Sequence, residues 1–210
     1  MKKSKKLIGF LFLLFLLLAF TGCTNNNSDE FEENGNETSE LSPFFPASLG
    51  NHWSYLGDGM EYASFTREII YVDGNRFQVM EDNGGTVSAN VFLVTSDAVT
   101  RVFFQGEEYE MEDRLNEPDN DATILLKSPI EAGTKWTHDN QSREIVDVNA
   151  SVTTPLGVFD ECIKVQILTP DSEMFEYYKK GVGLIKREFI FGDDIISSVL
   201  ESFEIEPSDS

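Results

Sequence analysis

Hydrophobic and polar positions alternate with a period of two along most of the chain after residue 50. Val146, Val148, Ala150 and Val152 share one parity, and Asp147, Asn149 and Ser151 the other. Ile163-Lys164-Val165-Gln166-Ile167 alternates in the same way. Successive side chains of a strand point to opposite faces, so this is the pattern of a half-buried antiparallel strand. The same reading predicts strands over residues 51–56, 62–72, 76–81, 86–95, 99–104, 123–127, 135–137, 174–179, 184–191 and 195–205. Turn chemistry separates them at Asp73-Gly74-Asn75, Asn83-Gly84-Gly85, Gln105-Gly106, Leu156-Gly157 and Gly192-Asp193-Asp194. No window of a dozen residues carries a helical stripe, although short helical turns fit near 43–49 and 113–116. Residues 107–121 form one long polar interruption, expected to be a hairpin tip or an extended loop.

About ten to twelve short strands joined by tight turns predict an all-β domain over residues 43–205. A single antiparallel, strongly curved sheet is expected, as a barrel or half-barrel in meander order, with a sandwich as the other choice. Residues 206–210 form a short tail. Several strands carry large apolar groups on both parities: Phe103 beside Phe104, Tyr177 beside Tyr178, Ile69 beside Ile70. A sheet wet on one face has no use for both. A barrel filled by its own side chains, or a two-layer packing, explains the pattern. So does a half-barrel whose apolar concave face holds a hydrophobic ligand.

The N-terminus changes the picture of where this domain resides. Four lysines within the first six residues precede Leu7 to Phe20, fourteen residues without a charge. That is the layout of a secretory signal peptide, over residues 1–22, and it is shorter than the roughly 20 residues of a spanning helix. The border Phe20-Thr21-Gly22-Cys23 resembles a bacterial lipobox, with Phe20 in the place usually held by Leu. The resemblance implies cleavage before Cys23 and a diacylglycerol thioether on its sulfur. Two acyl chains suffice for stable anchoring, since each buried CH₂ contributes roughly 0.8 kcal/mol. The expected location is the extracytoplasmic side of the cell membrane or of an outer membrane. Lipidated Cys23 opens a tether, residues 23–42, with six carboxylates and no basic residue. One sign of charge and little hydrophobicity predict disorder there.

Composition then removes some functions. The chain holds 16 Lys and Arg against 37 Asp and Glu. Loss of residues 1–22 takes four lysines and no acid, leaving a formal charge of −25. Such a surface repels phosphate backbones, so nucleic acid is not an expected partner. With Cys23 lipidated, Cys162 is the one free thiol, and no disulfide is available within a monomer.

Three segments together resemble a group of uncharacterised bacterial lipoproteins. They are Gly50-Asn51-His52-Trp53-Ser54-Tyr55, then Thr154-Pro155-Leu156-Gly157-Val158-Phe159-Asp160-Glu161-Cys162-Ile163-Lys164-Val165, then Tyr177-Tyr178-Lys179-Lys180-Gly181-Val182-Gly183-Leu184-Ile185-Lys186. The resemblance implies an extracytoplasmic β-rich domain and implies no reaction.

The residues offer little catalytic chemistry. Gly181-Val182-Gly183 precedes an alternating strand and not a helix, so it is not a phosphate loop. Cys162 has only His52 and His138 as conceivable bases and reads as a small, partly buried strand residue. One cysteine and two distant histidines make no zinc site. Asp119-Asn120-Asp121 and Gly192-Asp193-Asp194 lack the spaced ligand pattern of a calcium loop. No catalytic, cofactor or metal residue is assigned, and Cys23 stands as the one modification site. The favoured role is a non-enzymatic module binding a ligand, with a hydrophobic one considered, or an envelope protein. An extracytoplasmic hydrolase is the alternative.

Overall fold

Every predicted strand is present in the computed structural model, which describes residues 39–206. The signal peptide, Cys23, most of the tether and residues 207–210 lie outside the described residues. The strands are β1 (His52–Asp58), β2 (Phe65–Asp73), β3 (Arg76–Asp82), β4 (Val87–Val94), β5 (Ala98–Gly106), β6 (Thr123–Lys127), β7 (Lys135–His138), β8 (Gln141–Thr154), β9 (Gly157–Leu168), β10 (Glu173–Lys179), β11 (Gly183–Phe191) and β12 (Asp194–Glu204). They form one sheet in the order β6-β5-β4-β3-β2-β1-β12-β11-β10-β9-β8-β7. Each strand pairs antiparallel with its sequence neighbours except across β6 and β7, and β12 returns to pair with β1. The sheet is therefore an up-and-down meander, nearly closed into a barrel, whose seam lies between β6 and β7. Trp136 on β7 bridges that seam, its Nε1 donating to the carbonyl of Ile124 on β6 at 2.9 Å.

The inward parity of the strands forms the core. Trp53, Tyr55, Phe65, Ile69, Phe77, Val79, Phe92, Ile145, Val165, Ile167 and Tyr178 are all buried in one cluster. Short-range ring contacts lock it. Tyr55 stacks on Phe65 with centroids 4.3 Å apart, and Phe77 stacks on Phe92 at 5.4 Å.

A leader, residues 39–50, closes one end of the barrel. It contains the 3₁₀ turn Ser42–Phe44, in the region where a helical turn was expected. Leu41, placed in the tether by sequence, is fully buried, and Phe45 packs against Tyr178 at 5.2 Å. Two of the three sequence motifs meet at this end. Trp53 Nε1 donates to the Val182 carbonyl (2.7 Å) and Tyr55 Oη to the Leu184 carbonyl (3.0 Å). Gly181 and Gly183 hold φ of 77° and 99°, the left-handed region that side-chain-bearing residues avoid. The Gly181 N–H donates to the Pro43 carbonyl at 2.7 Å and so ties this turn to the leader. Asn51, fully buried, donates to the Pro46 carbonyl and accepts from the backbone of Glu206.

Apolar groups on both parities have a structural answer. The loop from Glu107 to Ala122 folds back over the outer face of β3–β5. Leu115 there packs on Val91, Val102 and Phe103, while Gln78 exchanges hydrogen bonds with the backbones of Glu112 and Arg114. On the opposite side Tyr177 faces outward beneath Lys164, whose Nζ lies 5.3 Å from the ring centroid, and its hydroxyl donates to Glu188 at 2.8 Å.

Bulges overturn two parity expectations. The β8–β9 register shifts between Ile145 and Asp147, between Asp147 and Ala150, and again between Ala150 and Val152. Ile145 and Val152 are therefore buried, whereas Val146 and Val148 are exposed. Glu161, with φ of 54°, is part of the extra length in β9 and turns Cys162 wholly into the core, where partial burial was expected. No α-helix occurs among the described residues, and 113–116 forms a turn instead of a helix.

Candidate functional site

In an antiparallel meander, the C-terminal ends of odd strands share a rim with the N-terminal ends of even strands. The inward residues near that rim are polar. Glu81 and His138 come from the ends of β3 and β7. Arg67, Asn90, Thr123, Arg143 and Glu176 come from the beginnings of β2, β4, β6, β8 and β10. Arg101 and Arg187 reach the same space from the middles of β5 and β11, and Asp121 from the loop before β6. These side chains line a cavity of about 480 Å³ inside the barrel mouth. Arg67 and Phe92 also line a second, apolar void of about 40 Å³ between the leader and the core. They mark the boundary between a charged end and an apolar end.

Four arginines face three enclosed carboxylates here. Arg67 places both Nε and Nη2 on Glu81 Oε2, at 2.7 and 2.6 Å. Arg101 Nε donates to Asp121 Oδ2 at 2.7 Å, and its Nη1 to Asn90 Oδ1 at 3.3 Å. Glu176 serves two guanidiniums. Arg187 Nε reaches Oε1 at 3.2 Å, and Arg143 Nη1 reaches Oε2 at 3.4 Å. Tyr178 donates to that same Oε2 at the shorter distance of 2.7 Å. Asp139 stands at the mouth, its side chain 83% exposed, 3.4 Å from His138 Nε2.

Burial alone would raise the pKa of every one of these carboxyls, because it penalises the charged form. For Glu176 the nearby Arg143 and Arg187 and the Tyr178 hydroxyl outweigh burial and bring it down to about 2. Glu81 is likewise lowered against its burial by Arg67 and Arg187. Asp121 is lowered against its burial by hydrogen bonds from Thr123 and by Arg101. Burial and the Glu176 charge push the Tyr178 hydroxyl well above its ordinary value. At neutral pH Glu81, Asp121 and Glu176 are thus held as fixed ions.

The residues weighed from sequence do not assemble. His138 lines the chamber, but His52 and Cys162 do not. The Cys162 thiol is pushed up to about 11 by burial, and its sulfur lies 3.4 Å from the Phe159 carbonyl. Among the described residues no group of three or more His, Cys, Asp or Glu is disposed to hold a metal ion. Cys23 lies outside the described residues.

Sequence reading missed the chamber, yet a signal was present. Arg67 shares parity with Phe65 and Ile69, Glu81 with Phe77 and Val79, Arg143 with Ile145, and Glu176 with Tyr178. A charge on the apolar parity is an inward charge. Several of them at the same end of successive strands mark a charged end of the barrel.

The fold and cavity together define a twelve-stranded up-and-down β-barrel with an apolar plug at one end and a charged chamber at the other. No family model matches the chain, and no curated protein matches it. Three solved structures match the chain over most of their length. A candidate exported protein of Bacteroides fragilis with a YmcC-like fold is 16% identical, with a TM-score of 0.49 over 77% of this chain and 98% of its own. A candidate lipoprotein of Parabacteroides distasonis is 16% identical, with a TM-score of 0.38 over 77% and 98%. A hypothetical protein of Chlamydia trachomatis is 8% identical, with a TM-score of 0.32 over 82% and 95%.

Proposed function

We propose that this chain is a lipid-anchored, extracytoplasmic binding module that holds a small polar ligand in the mouth of its barrel and does not transform it. The observation that carries the reading is the cavity of about 480 Å³, a size usual for small-molecule sites, lined by converging charged and polar side chains in the barrel mouth. Its charged lining argues against the hydrophobic ligand considered from sequence. The apolar void, about 40 Å³, is too small for an acyl chain.

The electrostatics of the three enclosed carboxylates favour binding over hydrolysis. A general base works best with a pKa near the operating pH. Glu81, Asp121 and Glu176 are instead lowered by their arginine and hydrogen-bond partners. The Thr123 hydroxyl donates to Asp121 at 2.6 Å, a carboxylate held ionised by that same bond and so a weak base. Membrane attachment rests on the signal peptide and Cys23.

The test is native mass spectrometry of the full chain, purified in detergent from its own host. A co-purifying polar small molecule is expected, together with a lipid-modified Cys23 that Cys23→Ser abolishes. A co-purifying free lipid in the barrel, or turnover of the bound molecule, would overturn the reading.

A further inference from the structure

Arg143 is the odd member of the chamber. Its side chain is 9% exposed, yet its buried Nε–H has no hydrogen-bond partner. Its guanidinium makes one hydrogen bond among the described residues, the 3.4 Å contact to a carboxylate oxygen that Tyr178 already occupies at 2.7 Å. A guanidinium offers five donors, and buried donors are rarely left unmade because each costs about 1–3 kcal/mol. Arg67, by contrast, directs two donors onto Glu81 at 2.7 and 2.6 Å.

Charge points the same way. Glu176 is the one carboxylate beside both Arg143 and Arg187, so the enclosed side chains carry one positive charge more than negative, and the fourth carboxylate of the lining, Asp139, stands 83% exposed at the mouth. A buried charge without its counter-charge is costly unless something supplies one. The chain as a whole carries a formal charge of −21, so this positive spot runs against the composition.

We infer that the chamber is a receptor for a small monoanion, a carboxylate seated on the unfilled terminal Nη donors of Arg143, with the rest of the ligand polar and about the size of a sugar acid. This rests on the chamber being a ligand site, and it adds the ligand's chemical class and its anchoring residue. One negative charge balances the excess, and a planar carboxylate matches the guanidinium fork. A phosphate dianion would overshoot that balance. The remaining polar wall, including Asn90, Ser88 and Gln141, suits hydroxyl groups and not an alkyl chain.

Gluconate and glucose form the discriminating pair, being alike in size and differing in the carboxylate. The full chain in detergent, with its arginine Nε labelled with ¹⁵N, is titrated with each, and with acetate and inorganic phosphate, while the Nε–H resonances are followed by NMR. Gluconate and acetate should move the Arg143 resonance saturably, and glucose should not. Arg143→Lys, which keeps the charge and loses the fork, should weaken gluconate at least tenfold. Arg143→Met should abolish its binding. Glucose binding as well as gluconate, or phosphate binding more tightly than either carboxylate, would overturn the monoanion while leaving the chamber a ligand site. If none of the four moves any chamber resonance, both readings fall.

Discussion

The two ends of the barrel use their large side chains oppositely. At the leader end, the buried Trp53 and Tyr55 donors are spent on structure, although Arg76 at the start of β3 also keeps one unpaired Nε–H. The Trp53 and Tyr55 donors go to backbone carbonyls of the β10–β11 turn and β11, and Phe45 fills the space above Tyr178. At the mouth, the polar groups serve one another incompletely, and one guanidinium is left with donors to spare. A buried ion pair is seldom more stable than a well-packed apolar replacement, so its retention at one end only separates the two roles.

The largest effects should come from the apolar end. Trp53→Ala removes a buried indole and leaves the Val182 carbonyl unpaired, and should cost about 4 kcal/mol in urea unfolding. Trp53→Phe keeps most of the packing and should cost about 1–2 kcal/mol, mostly the lost hydrogen bond. A cost below 1 kcal/mol for the alanine variant would deny this end its structural role.

Next in size is Glu176, the carboxylate that holds the charged end together. Its folded pKa lies below its ordinary value of 4.5, at about 2. The stability it contributes is thus fully present above about pH 4.5 and is lost as pH falls toward 2. By linkage that contribution is on the order of 3 kcal/mol. Glu176→Gln should flatten the wild-type fall in melting temperature between pH 4.5 and 2 and destabilise the chain by a similar amount at pH 7. An unchanged acid profile in the variant would show that Glu176 is not the titrating group.

Cys162 belongs to neither polar network and should matter least. Cys162→Ala should cost about 1 kcal/mol as a small buried change, with ligand binding intact. The native thiol should resist alkylation at pH 8, since it is fully buried and its pKa is pushed up to about 11. Rapid labelling under native conditions would contradict the buried placement.

The apolar end was largely legible in the chain, and the charged end was not. Period-two alternation located all twelve strands to within a few residues, because an apolar parity is a statement about burial. The widest misses came at bulges: Val146 and Val148 share the parity of buried Val152 but point outward, since an inserted residue reverses the alternation and leaves no compositional mark. Arg67 and Glu176 lie within strands that the alternation predicts, but nothing in the alternation alone singles them out. Their inward direction shows only by comparison with flanking apolar neighbours, and their convergence only once the meander brings the same ends of five even strands together. Gly50–Tyr55 and Gly181–Gly183 were visible as motifs, but their meeting across the barrel end was not, because it spans 129 residues of sequence.

The division of labour between the ends is tested most directly by the melting temperature of the wild-type chain and of Arg143→Met, each with and without saturating gluconate. Without ligand, Arg143→Met should melt only a few degrees below wild type, because Glu176 loses one guanidinium but keeps Arg187 and Tyr178 while an incompletely paired buried cation is removed. With gluconate at about a hundred times its dissociation constant, wild type should gain about 2.7 kcal/mol of stability and the variant nothing. A variant that melts far below wild type, with neither protein responding to gluconate, would show that the charged end is scaffold and not a binding site.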